Sequence, residues 1–190
     1  MDNKPRVNDK DVLPKLDLEK GELNVPSGED WVMISGEALR RVYEHEVTIL
    51  GTGAFVIWYN AGKAVGKTEG AKFAGLVNTL GIDQLAQELS RTYAQLGWGR
   101  IEIRDIDIMR NEITIILRNS PMVRGVSDKE PRCWYVRGFM EGIVSVILGV
   151  EATAFELACE AVNRDRCEFK VSWKLPTSPP DETKSRSLGK

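Results

Sequence analysis

The sequence predicts an α+β fold in which one antiparallel sheet packs against several helices. Three observations predict it. Strand-like alternation is confined to short runs, clearest in "RIEIRDIDIMRNEITIILR" from Arg100 and "CEFKVSWK" from Cys167. Longer segments space their apolar residues at helical intervals, as in "IDQLAQELSRTYAQLGWG" from Ile82. A chain of 190 residues with 42% hydrophobic and 28% charged side chains has the content for one core plus trimmings.

Taken in order, residues 1–12 are polar and charged and are expected to be a flexible segment, residues 13–175 form the domain, and 176–190, "PTSPPDETKSRSLGK", form a disordered tail. Neither end carries enough apolar surface to offset its ordering entropy. "KLDLEKGELNV" alternates around Gly21 and reads as a short hairpin, with "WVMIS" from Trp31 as a third strand. A helix starts near Gly36 with Leu39, Val42 and Tyr43 on one face, and a second apolar stretch runs from Phe55 to about Gly70. In the third helix Ile82, Leu85, Ala86, Leu89, Tyr93 and Leu96 make one stripe that Gly97 ends.

Strands follow. Ile101 and Ile103 share one parity and Ile106 and Ile108 the other, so a bulge near Arg104 and Asp105 is expected. Ile113 to Leu117 return the chain, and "NSPMVRGVSDKEPR" over 119–132 is a loop punctuated by Pro121, Gly125 and Pro131. "CWYVRGFMEGIVSVILG" from Cys133 is a buried helix. The last strands run from about Val150 to Leu157 and from Cys167 to Lys174, where Cys167, Phe169, Val171 and Trp173 share a face.

A net charge of −2 provides no basic field for nucleic acid or an anionic membrane. No apolar run approaches the roughly 20 residues that span a bilayer, and "MDNKPRVNDKD" lacks the apolar core of a signal peptide, so a cytoplasmic protein is expected. "AGKAVGKT" from Ala61 to Thr68 fits a relaxed phosphate-loop pattern, but it lacks a downstream apolar strand ending in a magnesium-binding aspartate. Its glycines 62, 66 and 70 recur every fourth residue, which instead lets another helix approach closely. They also leave room beside the helix for a cavity. The sole histidine, His45, reads as a solvated helix residue.

Three cysteines cannot all pair within one chain, and a reducing cytosol favours metal binding or burial over disulfides. Cys133 opens the buried helix, while Cys159 and Cys167 bracket the reversal between the last strands. Spacing alone leaves open whether the three thiols meet at a metal or lie buried as small hydrophobes. Glu156 lies three residues before Cys159, so a regular strand would aim the two apart; a bulge or an early strand end is required for both to reach one ion.

The run Cys133, "RGFMEGIVSVILG", Glu156-x2-Cys159-x7-Cys167-x-Phe169, with "YNAGKAVGKTEG" and "AQLGWGRIEI", resembles the 4-vinyl reductase domain family, most of all its hydrocarbon-binding proteins. These are α+β domains related to the Golgi-transport and nitric-oxide-sensing ligand-binding fold. The resemblance implies a structural zinc on Cys133, Glu156, Cys159 and Cys167 beside a buried pocket for a small hydrophobic or aromatic molecule, in a sensor or carrier. Phe55, Trp58, Tyr59, Trp98 and Phe139 are the candidate pocket residues, with the 119–132 loop as entrance. The expected partners are that ligand and a second copy of the chain as a homodimer, with no nucleic acid and no membrane span. No catalytic residue is assigned, since no flavin, nicotinamide or iron–sulfur signature is present. The alternatives are an assembly adaptor like the Golgi-tethering subunits, or a protein related to tetrapyrrole vinyl reduction. Three thiolates and a carboxylate on a divalent ion also call for nearby donors, for which Arg132, Arg164 and Arg166 are the candidates.

Overall fold

The computed structural model describes residues 14–24, 31–163 and 165–174; the segments expected to be mobile at either end lie outside them. A hairpin of β1 (Lys15–Asp17) and β2 (Glu22–Asn24) closes where the Gly21 N–H donates to the Asp17 carbonyl at 2.8 Å. The third strand expected from Trp31 does not form. Trp31 makes one isolated bridge to Leu23, while Val32 and Met33 are 87% and 78% exposed. Apolar β-formers make a strand only with a ladder to join and a face to bury, and this run has neither.

Helix α1 (Gly36–Leu50) begins at Ser35, whose hydroxyl accepts from the Ala38 N–H at 3.1 Å. It is followed by α2 (Gly53–Ala74), α3 (Val77–Leu80) and α4 (Ile82–Gln95). The phosphate-loop-like Ala61–Thr68 lies inside α2. Helix α5 (Trp134–Leu148) stops at Gly149, whose φ of +64° is left-handed and suits glycine. Among the described residues no helix is long and apolar enough to cross a membrane.

Helices α2 and α5 meet backbone to backbone. A Cβ on Gly62 would lie 2.0 Å from the Tyr135 carbonyl oxygen and one on Gly66 2.2 Å from that of Phe139. Reciprocally, a Cβ on Gly138 would lie 2.0 Å from the Tyr59 oxygen and one on Gly142 2.3 Å from that of Lys63. The close helix approach read from the glycines is therefore present. Their use as room for a cavity is not, because the backbone of α5 fills that space.

The sheet comprises β3 (Arg100–Asp107), β4 (Glu112–Arg118), β5 (Glu151–Ala158) and β6 (Cys167–Lys174), in the order β3-β4-β6-β5, antiparallel throughout. The register shift between Ile103 and Asp105 is the expected bulge, and it turns Ile106 to the side of Ile101 and Ile103. Ile108 falls beyond the strand and is 68% exposed. Ile113, Ile115, Leu117, Cys167, Phe169, Val171, Ala152 and Ala154 form the buried inner face. Helix α5 also covers the edge strand β5: Arg137 Nε donates to the Ala154 carbonyl at 2.7 Å, the Ala154 N–H to Glu141 Oε2 at 3.0 Å, and the Ala152 N–H to Ser145 Oγ at 3.2 Å. Three polar residues four apart thus satisfy backbone groups that would otherwise template another strand.

Candidate metal centre and ligand cavity

The conflict between Glu156 and Cys159 is resolved as required. A register shift separates Glu156 from Ala158, β5 ends at Ala158, and α6 (Glu160–Asn163) makes the reversal that returns the chain to Cys167. Cys133 caps α5 from the other side, so four residues from three places converge with one ligand atom each, all within 4.8 Å of one another. Cys133 Sγ lies 3.3 Å from Cys167 Sγ and 3.9 Å from Cys159 Sγ. Tetrahedral zinc with ~2.3 Å bonds to sulfur requires about 3.8 Å between sulfurs, so small adjustments suffice. Glu156 Oε2 accepts from the Cys133 N–H at 3.3 Å, while its Oε1 is buried with no hydrogen-bond partner. An orphaned carboxylate oxygen beside three buried thiols fits a cation.

The electrostatics agree. Burial, reinforced by the Cys159 thiolate, pushes Glu156 up to about 9. Hydrogen bonds from Cys133 and Cys167 hold Cys159 far below the usual thiol value. Donating those bonds, together with burial, pushes Cys133 up. For Cys167 the bond with Cys133 pulls down, but the bond with Cys159 and burial prevail and it rises. One thiolate is therefore stable in the pocket unaided, and a divalent ion would stabilise the rest.

The donors that surround the ligands are backbone amides. The Arg132 N–H donates to Cys159 Sγ at 3.4 Å and the Glu160 N–H to Cys167 Sγ at 3.3 Å, with the positive end of the α5 dipole behind Cys133. The guanidinium groups expected to do this face elsewhere. Arg132 pairs with Asp128, and Arg166 with Asp165 and Glu168, while Arg164 lies outside the described residues. Nearby carboxylates outcompete the site for the two described arginines.

A cavity of about 200 Å³ lies between α2, α4, α5 and the sheet. All six residues of the α4 stripe line it, with Ile101, Ile103 and Ile106 from the bulged strand, and Trp98 and Phe139 from the candidate set. Phe55, Trp58 and Tyr59 do not line it. Phe55 stacks on Trp134 with centroids 5.1 Å apart, Trp58 meets Tyr43 edge-on at 5.4 Å, and Tyr59 donates to Glu141. Trp58 connects to the cavity wall through Tyr135, at 6.0 Å. The 119–132 loop contributes no lining residue. Its Ser120, Met122 and Val123 are buried, so it packs as part of the core rather than framing an entrance. His45 is exposed, as expected.

Three residues absent from the candidate set stand out. Glu141 is buried against Tyr59, Lys63 Nζ at 2.5 Å and the Ala154 N–H. Its signal was an acid inside an otherwise apolar helix. Among the described residues Glu69 lines the cavity as its sole formally charged residue, and Trp31 reaches it from the bridge to the hairpin. Neither has a local sequence signal, because both are brought in by tertiary packing.

The family model of the 4-vinyl reductase domain matches residues 113–172. The matched stretch runs from β4 to β6 and contains all four residues of the metal cluster, which bears out the resemblance read from the sequence. No curated protein matches the chain. Among solved structures, the phenol-responsive sensory domain of the transcription activator PoxR, solved with phenol, superposes with a TM-score of 0.69 at 18% identity over 84% of each chain. A vinyl-4-reductase family protein from Methanocaldococcus jannaschii gives 0.50 at 20% identity, over 78% of this chain and all of that one. A trafficking protein particle complex subunit 3 from Naegleria fowleri, covalently bound to palmitic acid, gives 0.50 at 15% identity, over 76% of this chain and 98% of that one. At these identities the likeness concerns the fold.

Proposed function

We propose that this 4-vinyl-reductase-like domain senses or carries a compact hydrophobic or aromatic molecule held in the α2–α4–α5 cavity, with zinc on Cys133, Glu156, Cys159 and Cys167 as a structural staple. The observation that carries the reading is the void itself. Protein interiors are close-packed, and a 200 Å³ void in the core costs on the order of 5 kcal/mol, which an apolar occupant recovers. A cavity of ~150 Å³ accepts benzene, so one substituted ring is the matching size. The phenol bound by the PoxR sensory domain, on the same fold, is a ligand of that class.

Toluene titrated calorimetrically into the full-length protein tests this. It should bind at one site per chain, and Leu89→Trp, which fills the void, should abolish binding. Native mass spectrometry should show one zinc per chain that Cys159→Ser removes, and the same spectra read the expected homodimer. A chain that binds neither toluene nor any co-purified small molecule would support the adaptor reading, which is favoured by Ile49, Leu50, Val56 and Ile57, exposed around the α1–α2 turn at 65%, 48%, 61% and 50%.

A further inference from the structure

The cavity wall is apolar or aromatic except at one place. On α2, Glu69 follows Val65 by one turn, so both side chains reach the cavity, and Glu69 remains 26% exposed, which puts its carboxylate at the rim. Its two oxygens are used unequally. Oε1 takes the Lys72 ammonium at 2.8 Å, an ion pair one turn along the same helix. Oε2 faces the Tyr93 hydroxyl across 3.5 Å, the outer limit of a hydrogen bond. A gap of that length is too wide for a good direct bond. A third oxygen placed between the two groups would make a normal bond to each.

Resting on the reading of the cavity as a ligand site, we infer that Glu69 and Tyr93 form its head-group subsite and select a neutral molecule of about one ring that carries a hydroxyl. The ligand hydroxyl donates to Glu69 Oε2 and accepts from Tyr93 Oη, while its ring lies against Trp98, Tyr135 and Phe139. The chemistry of the rim excludes the other head groups. A carboxylate would be set against the Glu69 carboxylate in a half-buried site, where like charges repel strongly. An ammonium gains little, because Lys72 already neutralises Glu69. Burial, with the Glu69 charge beside it, keeps Tyr93 well above the usual phenol value, so it remains a donor at every working pH. The subsite thus separates alcohols and phenols from fatty or aromatic acids on the same fold.

The test is a ligand–residue cycle on the full chain with toluene, phenol, benzoate and benzylamine as probes. Glu69→Leu should leave the toluene dissociation constant within about threefold and shift the phenol-to-toluene ratio against phenol by about tenfold or more, the worth of one hydrogen bond to a charged acceptor. Tyr93→Phe should shift the same ratio by a smaller factor, which keeps the inference testable if Glu69→Leu misfolds. Benzoate and benzylamine should bind wild type more weakly than phenol. Toluene binding with a ratio that neither substitution moves overturns the subsite but leaves the cavity reading intact. Benzylamine or benzoate binding more tightly than phenol overturns the neutral-hydroxyl selection. Failure of both toluene and phenol to bind wild type overturns the subsite and the cavity reading together.

Discussion

Replacing Gly138 with alanine should separate two helices. The added Cβ would lie 2.0 Å from the Tyr59 carbonyl oxygen and 2.9 Å from the Lys63 nitrogen, both backbone atoms in the middle of α2. Ordinary contact begins at 3.4 Å, so about 1.4 Å must be found, and no rotamer change supplies it. The helices must move apart, loosening the matched contacts at Gly62, Gly66 and Gly142. Overpacking costs about 1–3 kcal/mol, and a clash of backbone on backbone belongs at the upper end. Alanine returns about 1 kcal/mol of helix propensity, which leaves a net loss of about 2 kcal/mol. For a chain of this size that is a fall in Tm of about 4–8 °C. Urea unfolding should show a lower midpoint at unchanged slope. The control is Gly75→Ala: Gly75 has φ of −69°, and a Cβ added there would have nothing within 4 Å, so the change should be neutral or slightly stabilising. Gly138→Ala unfolding within about 0.5 kcal/mol of wild type would refute the backbone-contact argument.

The charged groups yield two further outcomes. At neutral pH Cys133, Cys167 and Glu156 hold their protons while Cys159 does not, so closing zinc around all four expels about three protons, and affinity should fall roughly a thousandfold per unit of pH lowered. Chelator competition at two or three pH values below 9 measures this, and a slope of one proton or fewer contradicts the site as described. Burial raises the Glu141 carboxyl, but bonds from Lys63 and Tyr59 and the Ala154 N–H overcome it, so its folded value is lowered. Its contribution is therefore complete above the ordinary carboxyl value of 4.5 and is lost as pH falls through the folded value. Glu141→Gln should cost about 1.5–3 kcal/mol at neutral pH and flatten the acid limb of the stability curve; an acid limb identical to wild type would count against this account.

Much of the scaffold was legible because its signals are local. The α4 stripe, the bulge at Arg104 and the alternation of Cys167, Phe169 and Val171 each depend on residues within a few positions of one another. "WVMIS" misled because strand propensity says nothing about whether a partner strand is within reach. The arginines misled because proximity in sequence to a ligand does not decide which carboxylate a long side chain meets, and Asp128, Asp165 and Glu168 were nearer.

By itself the sequence determined the order of helices and strands, the α+β class and the set of cysteines and glutamate able to meet at a metal. Those follow from periodicity and from ligand spacing, both carried along the chain. Tertiary structure alone decided that the glycines of α2 face those of α5 rather than a ligand, that the void lies behind the α4 stripe, and that Trp98 and Phe139 reach it while Phe55, Trp58 and Tyr59 do not. It also placed Glu69 on the rim. The physical reason is that a cavity is what remains when helices and sheet, far apart in sequence, have taken their closest approach, and that approach is set by backbone contact between α2 and α5.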